Sequence, residues 1–235
     1  NPPEWDEVLK YYGGTELKSH FEKIKNKQLR ASIKPQQVHH VAQAFDGTGK
    51  ELMEKYDERG VSRELIKELE LENSMEQNLK ELSGGELQRL AIAAVASKDT
   101  EFYFFDEPSS YNDVFQRKSV ARVIQSLAKM GKSVMVVEHD LTLLDFLSDY
   151  IEVLYGETAA YGIVSSVLST KIGINVFLDG YLPTENVRFR DKKFSFDVSS
   201  SSTDEFQEGS EIISYPRLEK KYSSFSVTVE PGRVR

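Results

Sequence analysis

The chain has 235 residues, of which 39% are hydrophobic and 29% charged, with a net charge of −8 and no cysteine. This is enough apolar material for one large domain, or for a domain and part of another, and the acidic balance argues against nucleic-acid binding by the whole surface. Disulfides, thiolate metal sites and cysteine nucleophiles are excluded, which fits a cytoplasmic protein.

Four histidines, scattered along the chain, do not make a metal site. No stretch approaches the roughly 18 apolar residues of a membrane span. The polar start Asn1-Pro2-Pro3-Glu4-Trp5 matches neither a signal peptide nor a transit peptide. Glu4 to Tyr12 reads as a short helix, broken by Gly13-Gly14, and Thr15 stands as the N-cap of a second helix running to about Leu29. From Lys18 to Lys34 there are six basic residues (Lys18, Lys23, Lys25, Lys27, Arg30, Lys34) and one acid, Glu22. They form either a solvated face or a local phosphate-contacting patch. Ala42 to Leu82 is mostly helical, with loops near Asp46-Gly47 and Arg59-Gly60.

Ser83-Gly84-Gly85-Glu86 then opens a helix to about Lys98, with Leu87, Leu90, Ala91, Ala94 and Val95 facing inward. Phe102 to Phe105 is a short run of the buried-strand type. Asp113 to Met130 is a helix with Val120, Val123, Ile124 and Leu127 inside, stopped by Gly131. Ser133 to Val137 is a second buried strand, Leu141 to Leu147 a short helix, and strands follow at Tyr150–Leu154 and Tyr161–Val164. Alternating strands and helices predict an α/β fold with a parallel sheet. Beyond Asn175 the character changes. Ser199-Ser200-Ser201-Ser202-Thr203-Asp204-Glu205 is a polar linker, and Tyr222 to Val229 alternates like a strand of a new unit.

Four features carry chemistry, in this order: Gln36, Leu82-Ser83-Gly84-Gly85-Glu86, Phe102 to Glu107, and His139. Ser83 and Glu86 have the spacing of a capping box, and two glycines let a ligand approach the backbone. A helix N-terminus presents free N–H groups and the positive end of its dipole, a seat for a γ-phosphate. The apolar run 102–105 ends in two acids, Asp106 and Glu107, and the run 134–137 ends at Glu138 and His139. This set resembles the ABC ATPases: an ABC-type nucleotide-binding domain with a parallel sheet core and a helical subdomain. The resemblance implies ATP and Mg²⁺ as ligands. Ser83, Gly84, Gly85 and Glu86 would contact nucleotide, and Asp106 would hold Mg²⁺ through water. Glu107 would act as general base, and His139 would contact the γ-phosphate and orient water. Gln36, or Gln37 one position on, would sense Mg²⁺ and water. Asp113, in Ser109-Ser110-Tyr111-Asn112-Asp113, matches the acidic end of the D-loop, where Asn112 stands in place of an expected leucine.

No G-x-x-x-x-G-K-[ST] occurs in the chain. The nearest stretch, Gly47-Thr48-Gly49-Lys50, has Ala44 where the first glycine belongs and Glu51 where Mg²⁺ needs a hydroxyl. The phosphate loop is therefore expected upstream of Asn1, and a second one after Arg235.

After His139 the resemblance narrows. Gly173 to Arg190, with Asn175-Val176-Phe177-Leu178-Asp179-Gly180-Tyr181-Leu182-Pro183-Thr184-Glu185-Asn186, is similar to the hinge of ABC subfamily E, the soluble twin-ATPase ribosome-recycling proteins also called RNase L inhibitors. On this resemblance, residues 1–173 are the later part of a first ATPase domain, including a helix–loop–helix insert at about 4–29. Residues 174–198 are the hinge, and 199–235 are a linker and the start of a second ATPase domain. The implied activity is ATP hydrolysis by the complete protein, used to split ribosomes into subunits after termination, with a link to initiation. The implied partners are the small ribosomal subunit, a class I release factor or Pelota-like protein, and initiation factors. Iron–sulfur clusters would belong to an N-terminal domain outside this chain, and no membrane is implied. The competing expectation is the ATPase subunit of a membrane transporter. A third is a ribosome-binding fragment without turnover.

Overall fold

The computed structural model describes residues 3–194, 213–222 and 225–234. Its first elements are two short helices, α1 (Trp5–Tyr11) and α2 (Glu16–Lys25), joined through Gly13-Gly14 into a hairpin that Lys25 Nζ and Asp6 Oδ1 bridge at 2.7 Å. Thr15 occupies the N-cap position of α2, but its hydroxyl turns back to donate to the Tyr12 carbonyl at 2.8 Å instead of capping. The helix ends four residues before Leu29, the expected limit. Lys27 adopts a left-handed conformation, and the N–H groups of Lys27 and Gln28 bond to the carbonyls of Ile24 and Lys23. That pairing is a Schellman ending, which closes a helix whatever the sequence beyond it favours.

The strand β1 (Ala31–Lys34) comes next, where no strand is expected from the sequence. The helical stretch follows as α3 (His39–Ala44), α4 (Gly49–Tyr56) and α5 (Ser62–Glu68), with single 3₁₀ turns at Glu72–Ser74 and Leu79–Glu81. The helix α6 (Gly84–Ala96) is buried on all sides from Leu87 to Ala96, a wider burial than the inward stripe expected. The strand β2 (Phe102–Asp106), α7 (Val114–Lys129) and β3 (Ser133–Val137) complete the parallel sheet, in the order β1-β2-β3. Its register sets Lys34 beside Phe105, and Asp106 beside Val137. Tyr103 and Phe105 lie fully buried against α6, and Val120, Val123, Ile124 and Leu127 of α7 close the core as the sequence predicts.

The helix α8 (Leu141–Leu147) leads to a group of short antiparallel pairs. These pair β4 (Tyr150–Ile151) with β7 (Leu168–Ser169), and β5 (Leu154–Glu157) with β6 (Tyr161–Val164). The expected strand 150–154 is thus two strands, separated where the Val153 N–H turns aside to the Ser165 hydroxyl. Residues 170–179, the last six of them inside the expected hinge, form the helix α9 (Thr170–Asp179). Gly180 terminates it at φ 67°, and an added Cβ there would lie 2.9 Å from the Arg190 carbonyl oxygen. Arg190 donates to the carbonyls of Phe177 and Leu178 at the same helix end, across the pair β8 (Tyr181–Leu182) and β9 (Val187–Arg188). A second small core of Val153, Leu168, Val176 and Leu182 holds this part together.

The first compact unit runs through Lys193 and a second begins at Phe194. Residues 174–193 of the expected hinge thus belong to the first unit, and the serine-rich linker lies outside the described residues. Within the second unit, β10 (Ile213–Tyr215) pairs with β13 (Gly232–Val234), and β11 (Leu218–Lys221) with β12 (Ser226–Val229). Both pairings keep one register, interrupted where Pro216 faces Pro231. Neither proline has an N–H for the ladder. Of the stretch expected as one strand from Tyr222, Ser226–Val229 forms β12, while Tyr222 and Phe225 stack their rings ahead of it and residues 223–224 lie outside the described residues.

Candidate nucleotide site at the sheet edge

Three parallel strands bring their C-terminal ends to one edge, and open α/β sheets bind ligands at that edge. Gln36 follows β1, Glu107 follows β2 and His139 follows β3. Their side chains converge on a single oxygen. Gln36 Nε2 donates to Glu107 Oε1 at 2.7 Å, and His139 Nε2 lies 3.3 Å from the same atom. Ser110 donates to the other carboxylate oxygen at 3.3 Å. His139 is widely exposed, with 79% of its side chain accessible against 24% for Glu107. A carboxylate with one open side, flanked by an amide and an imidazole, can accept a proton from a water held there. Asp106, the last residue of β2, stands half-buried beside it. Gln37 points elsewhere and pairs through its Oε1 with His40.

The backbone at this edge is unusual. Glu107 has φ 46° and Tyr111 φ 63°, both in the left-handed region that favours glycine. The Glu107 N–H bonds to the Val137 carbonyl at 2.9 Å, and its own carbonyl accepts from Gln88 Nε2 at 2.6 Å and from Lys34 Nζ at 3.4 Å. Lys34 also donates to the Asp106 carbonyl at 2.6 Å. Burial pushes the Lys34 ammonium down to about 8, against the opposing pull of the Asp106, Glu107 and Glu138 carboxylates. Lys34 is therefore no part of a surface patch with the other basic residues of 18–34. Arg30 lies between Glu58 and Asp99.

The signature residues sit at the start of α6. Ser83 is the N-cap, and its N–H and hydroxyl both donate to Glu86 Oε2, at 2.9 and 2.6 Å. The hydroxyl of Ser74 donates to the other oxygen and, with Ser83, holds the Glu86 carboxyl below the usual glutamate range. Both carboxylate oxygens are thus engaged within the protein, and the half-buried N–H groups of Gly84 and Gly85 at the helix start are what remains for a ligand. Gly85 packs against the D-loop: a Cβ on it would lie 2.8 Å from the Tyr111 carbonyl oxygen. Asn112, the departure from the expected leucine, turns inward and accepts from the buried Arg89 at 3.1 Å. Asp113 caps α7, one carboxylate oxygen accepting the N–H groups of Phe115 and Gln116 at 2.8 and 2.9 Å.

The sequence-selected residues therefore form two groups. Gln36, Asp106, Glu107 and His139 gather at the sheet edge, while Ser83, Gly84, Gly85, Glu86 and Asp113 gather around the α6 start and the D-loop. Sequence reasoning missed Lys34, Gln88, Ser110 and Arg117. Arg117 joins the Asn112 carbonyl to Asp140, the residue after His139, at 3.0 and 2.7 Å. The stretch Gly47-Thr48-Gly49-Lys50 is the start of α4. Thr48 and Glu51 form a capping box there, and Lys50 pairs with Glu76. Among the described residues no helix is long and apolar enough to cross a membrane.

The family model described as ABC transporter matches residues 9–110. ABC transporter E family member 1 of Arabidopsis thaliana is 44% identical over 233 residues, covering 98% of this chain. The chain belongs to subfamily E of the ABC ATPases. Another relative in the subfamily, translation initiation factor RLI1 of Chaetomium thermophilum, is 45% identical over 235 residues, covering 99% of the chain. A structure described as a model of ribosome-bound archaeal Pelota and ABCE1 matches all of the chain at 51% identity with a TM-score of 0.90, and the match takes up 39% of that protein. The chain spans about two fifths of the length of the curated relatives it matches, 39% and 38% of the two above. Subfamily membership accounts for the parallel sheet, the helical subdomain and the signature together.

Proposed function

We propose that this chain carries the later part of the first ATPase domain, the hinge and the start of the second in a cytoplasmic twin-ATPase protein that splits ribosomes after termination, with a link to initiation, and that the segment by itself does not hydrolyse ATP. On this reading residues 1–173 are the later part of that domain, the stretch around 174–198 is its hinge, and 199–235 lead into a second ATPase domain. The observation that supports catalysis most directly is the convergence of Gln36 and His139 on one Glu107 oxygen. Glu107 takes the proton of the attacking water, and His139 and Gln36 fix where that water lies. Ser83, Gly84, Gly85 and Glu86 present the α6 N-terminus to the nucleotide in a neighbouring ATPase domain, with Asp113 supporting the D-loop between the two. Asp106 and the Gln36 amide oxygen are hard oxygen donors of the kind Mg²⁺ accepts while it keeps several waters. When bound, Mg²⁺ would neutralise charge on the β- and γ-phosphates. Any iron–sulfur cluster of the complete protein would be held by a segment outside this chain, which has no cysteine to ligate one. The partners proposed are the small ribosomal subunit, a class I release factor or Pelota-like protein, and initiation factors; the match to a ribosome-bound Pelota and ABCE1 structure supports a ribosome and a Pelota-like protein, and the relative named translation initiation factor RLI1 supports the link to initiation.

In the full-length protein, Glu107→Gln should leave nucleotide binding intact. It should slow single-turnover hydrolysis at this site by roughly 10²–10⁴-fold, the usual worth of a general base. Hydrolysis at the unmodified rate would refute the assignment.

A further inference from the structure

The carboxylate of Glu107 is aimed by a backbone that an ordinary L-residue adopts only when its surroundings hold it there. Three elements do so. From β3, the Val137 carbonyl takes the Glu107 N–H; from α6, Gln88 donates to the Glu107 carbonyl at 2.6 Å; from β1, Lys34 donates to the same carbonyl at 3.4 Å and to the Asp106 carbonyl at 2.6 Å. Gln88 and Lys34 are both fully buried, at 0% exposure, so both donor side chains are withdrawn from water. Neither side chain reaches the open side of the site itself. Gln88 lies in the second turn of the helix whose first turn carries the signature, so the helix that presents LSGGE is also bonded to the peptide of the general base.

We propose that Gln88 and Lys34 are positioning residues for catalysis: they hold the Glu107 peptide in its left-handed turn and thereby aim its carboxylate at the attacking water. This rests on the reading of Glu107 as general base. Without the Gln88 donor the turn can relax toward negative φ, which swings the carboxylate away from Gln36 and His139. A displacement of about 1 Å at a reacting group can cost about 100-fold in rate.

The test is a double-mutant cycle in the full-length ATPase, read by single-turnover hydrolysis at this site and by binding of a non-hydrolysable ATP analogue. Gln88→Leu keeps the volume and removes the donor. Lys34→Met does the same on the other side. Each should slow hydrolysis by about 10- to 100-fold with analogue affinity unchanged. In a Glu107→Gln background each should slow the residual rate by less than about 2-fold, because the group being aimed is already gone. A full-sized effect in both backgrounds, or an unmodified rate for Gln88→Leu, would overturn the proposal. Should Gln88→Leu fail to fold, Gln88→Met, equally long and more flexible, replaces it; collapse of both assigns Gln88 to the core alone and also overturns the proposal. If Glu107→Gln itself hydrolyses normally, the general-base reading fails. A slow Glu107→Gln with a fast Gln88→Leu sinks only the positioning role.

Discussion

Neutralising Lys23 and Lys27 tests whether the α1–α2 hairpin meets ribosomal RNA, and the structure sets how large the effect should be. Of the six basic residues between Lys18 and Lys34, Lys34 is buried beside β2, and Arg30 sits between Glu58 and Asp99 at 3.6 and 3.8 Å. Lys18 pairs with Glu22 at 3.7 Å and Lys25 with Asp6 at 2.7 Å. Lys23 and Lys27 are exposed and make no ion pair among the described residues, so they can meet a phosphate without leaving a carboxylate. Each phosphate neutralised contributes about 0.7–0.9 to the slope of log affinity against log salt, so losing two contacts should flatten that slope by about 1.4–1.8. Lys23→Gln with Lys27→Gln should show that loss in full-length protein binding small subunits, measured by fluorescence at several salt concentrations. Lys18→Gln with Lys25→Gln should change the slope less, since those lysines must first give up Glu22 and Asp6. An unchanged slope for the Lys23 and Lys27 variant would refute an RNA contact by this hairpin.

Two further outcomes follow from the signature helix. Glu86→Gln keeps a capping side chain but loses the charge that three donors surround. The Glu86 carboxyl is held below its ordinary range in the folded chain, so its stabilisation is present above about pH 4.3 and is lost as pH falls through the folded value. The variant should therefore melt lower than the parent at pH 7, with the gap closing in acid; a gap that persists in acid would contradict this. Gly85→Ala places a methyl group 2.8 Å from a backbone oxygen and should cost about 1–3 kcal/mol in chemical denaturation, whereas a parent-like midpoint would mean that the D-loop turn yields freely.

The signature and the acid pair after β2 were legible because each is written in contiguous residues with a local physical meaning: a cap with two glycines, and an apolar run with a charged end. The convergence of Gln36 and His139 on Glu107 was legible only through family resemblance, since three separate strands supply it. The strand β1 went unseen because its four residues alternate the wrong way. Ser32 and Lys34 are the buried positions, and Ile33 faces out at 60% exposure. A lysine among other lysines reads as surface, and nothing in the sequence says that its ammonium lies beneath two backbone carbonyls. Residues 170–179 show the opposite failure. A resemblance that names a stretch a hinge hides a helix whose apolar residues Ile172, Val176 and Phe177 recur at helical spacing.

The sheet has consequences for handling the chain by itself. Among the described residues β1 and β3 each pair only with β2, so both outer strands carry a row of unused N–H and carbonyl groups. Ile33 and Met135 stand exposed along those same strands. Unprotected edges of this kind template strand addition from a second molecule. A preparation of the isolated chain should therefore show light scattering that grows with concentration and time, and a lysine placed at Ile33 should delay it.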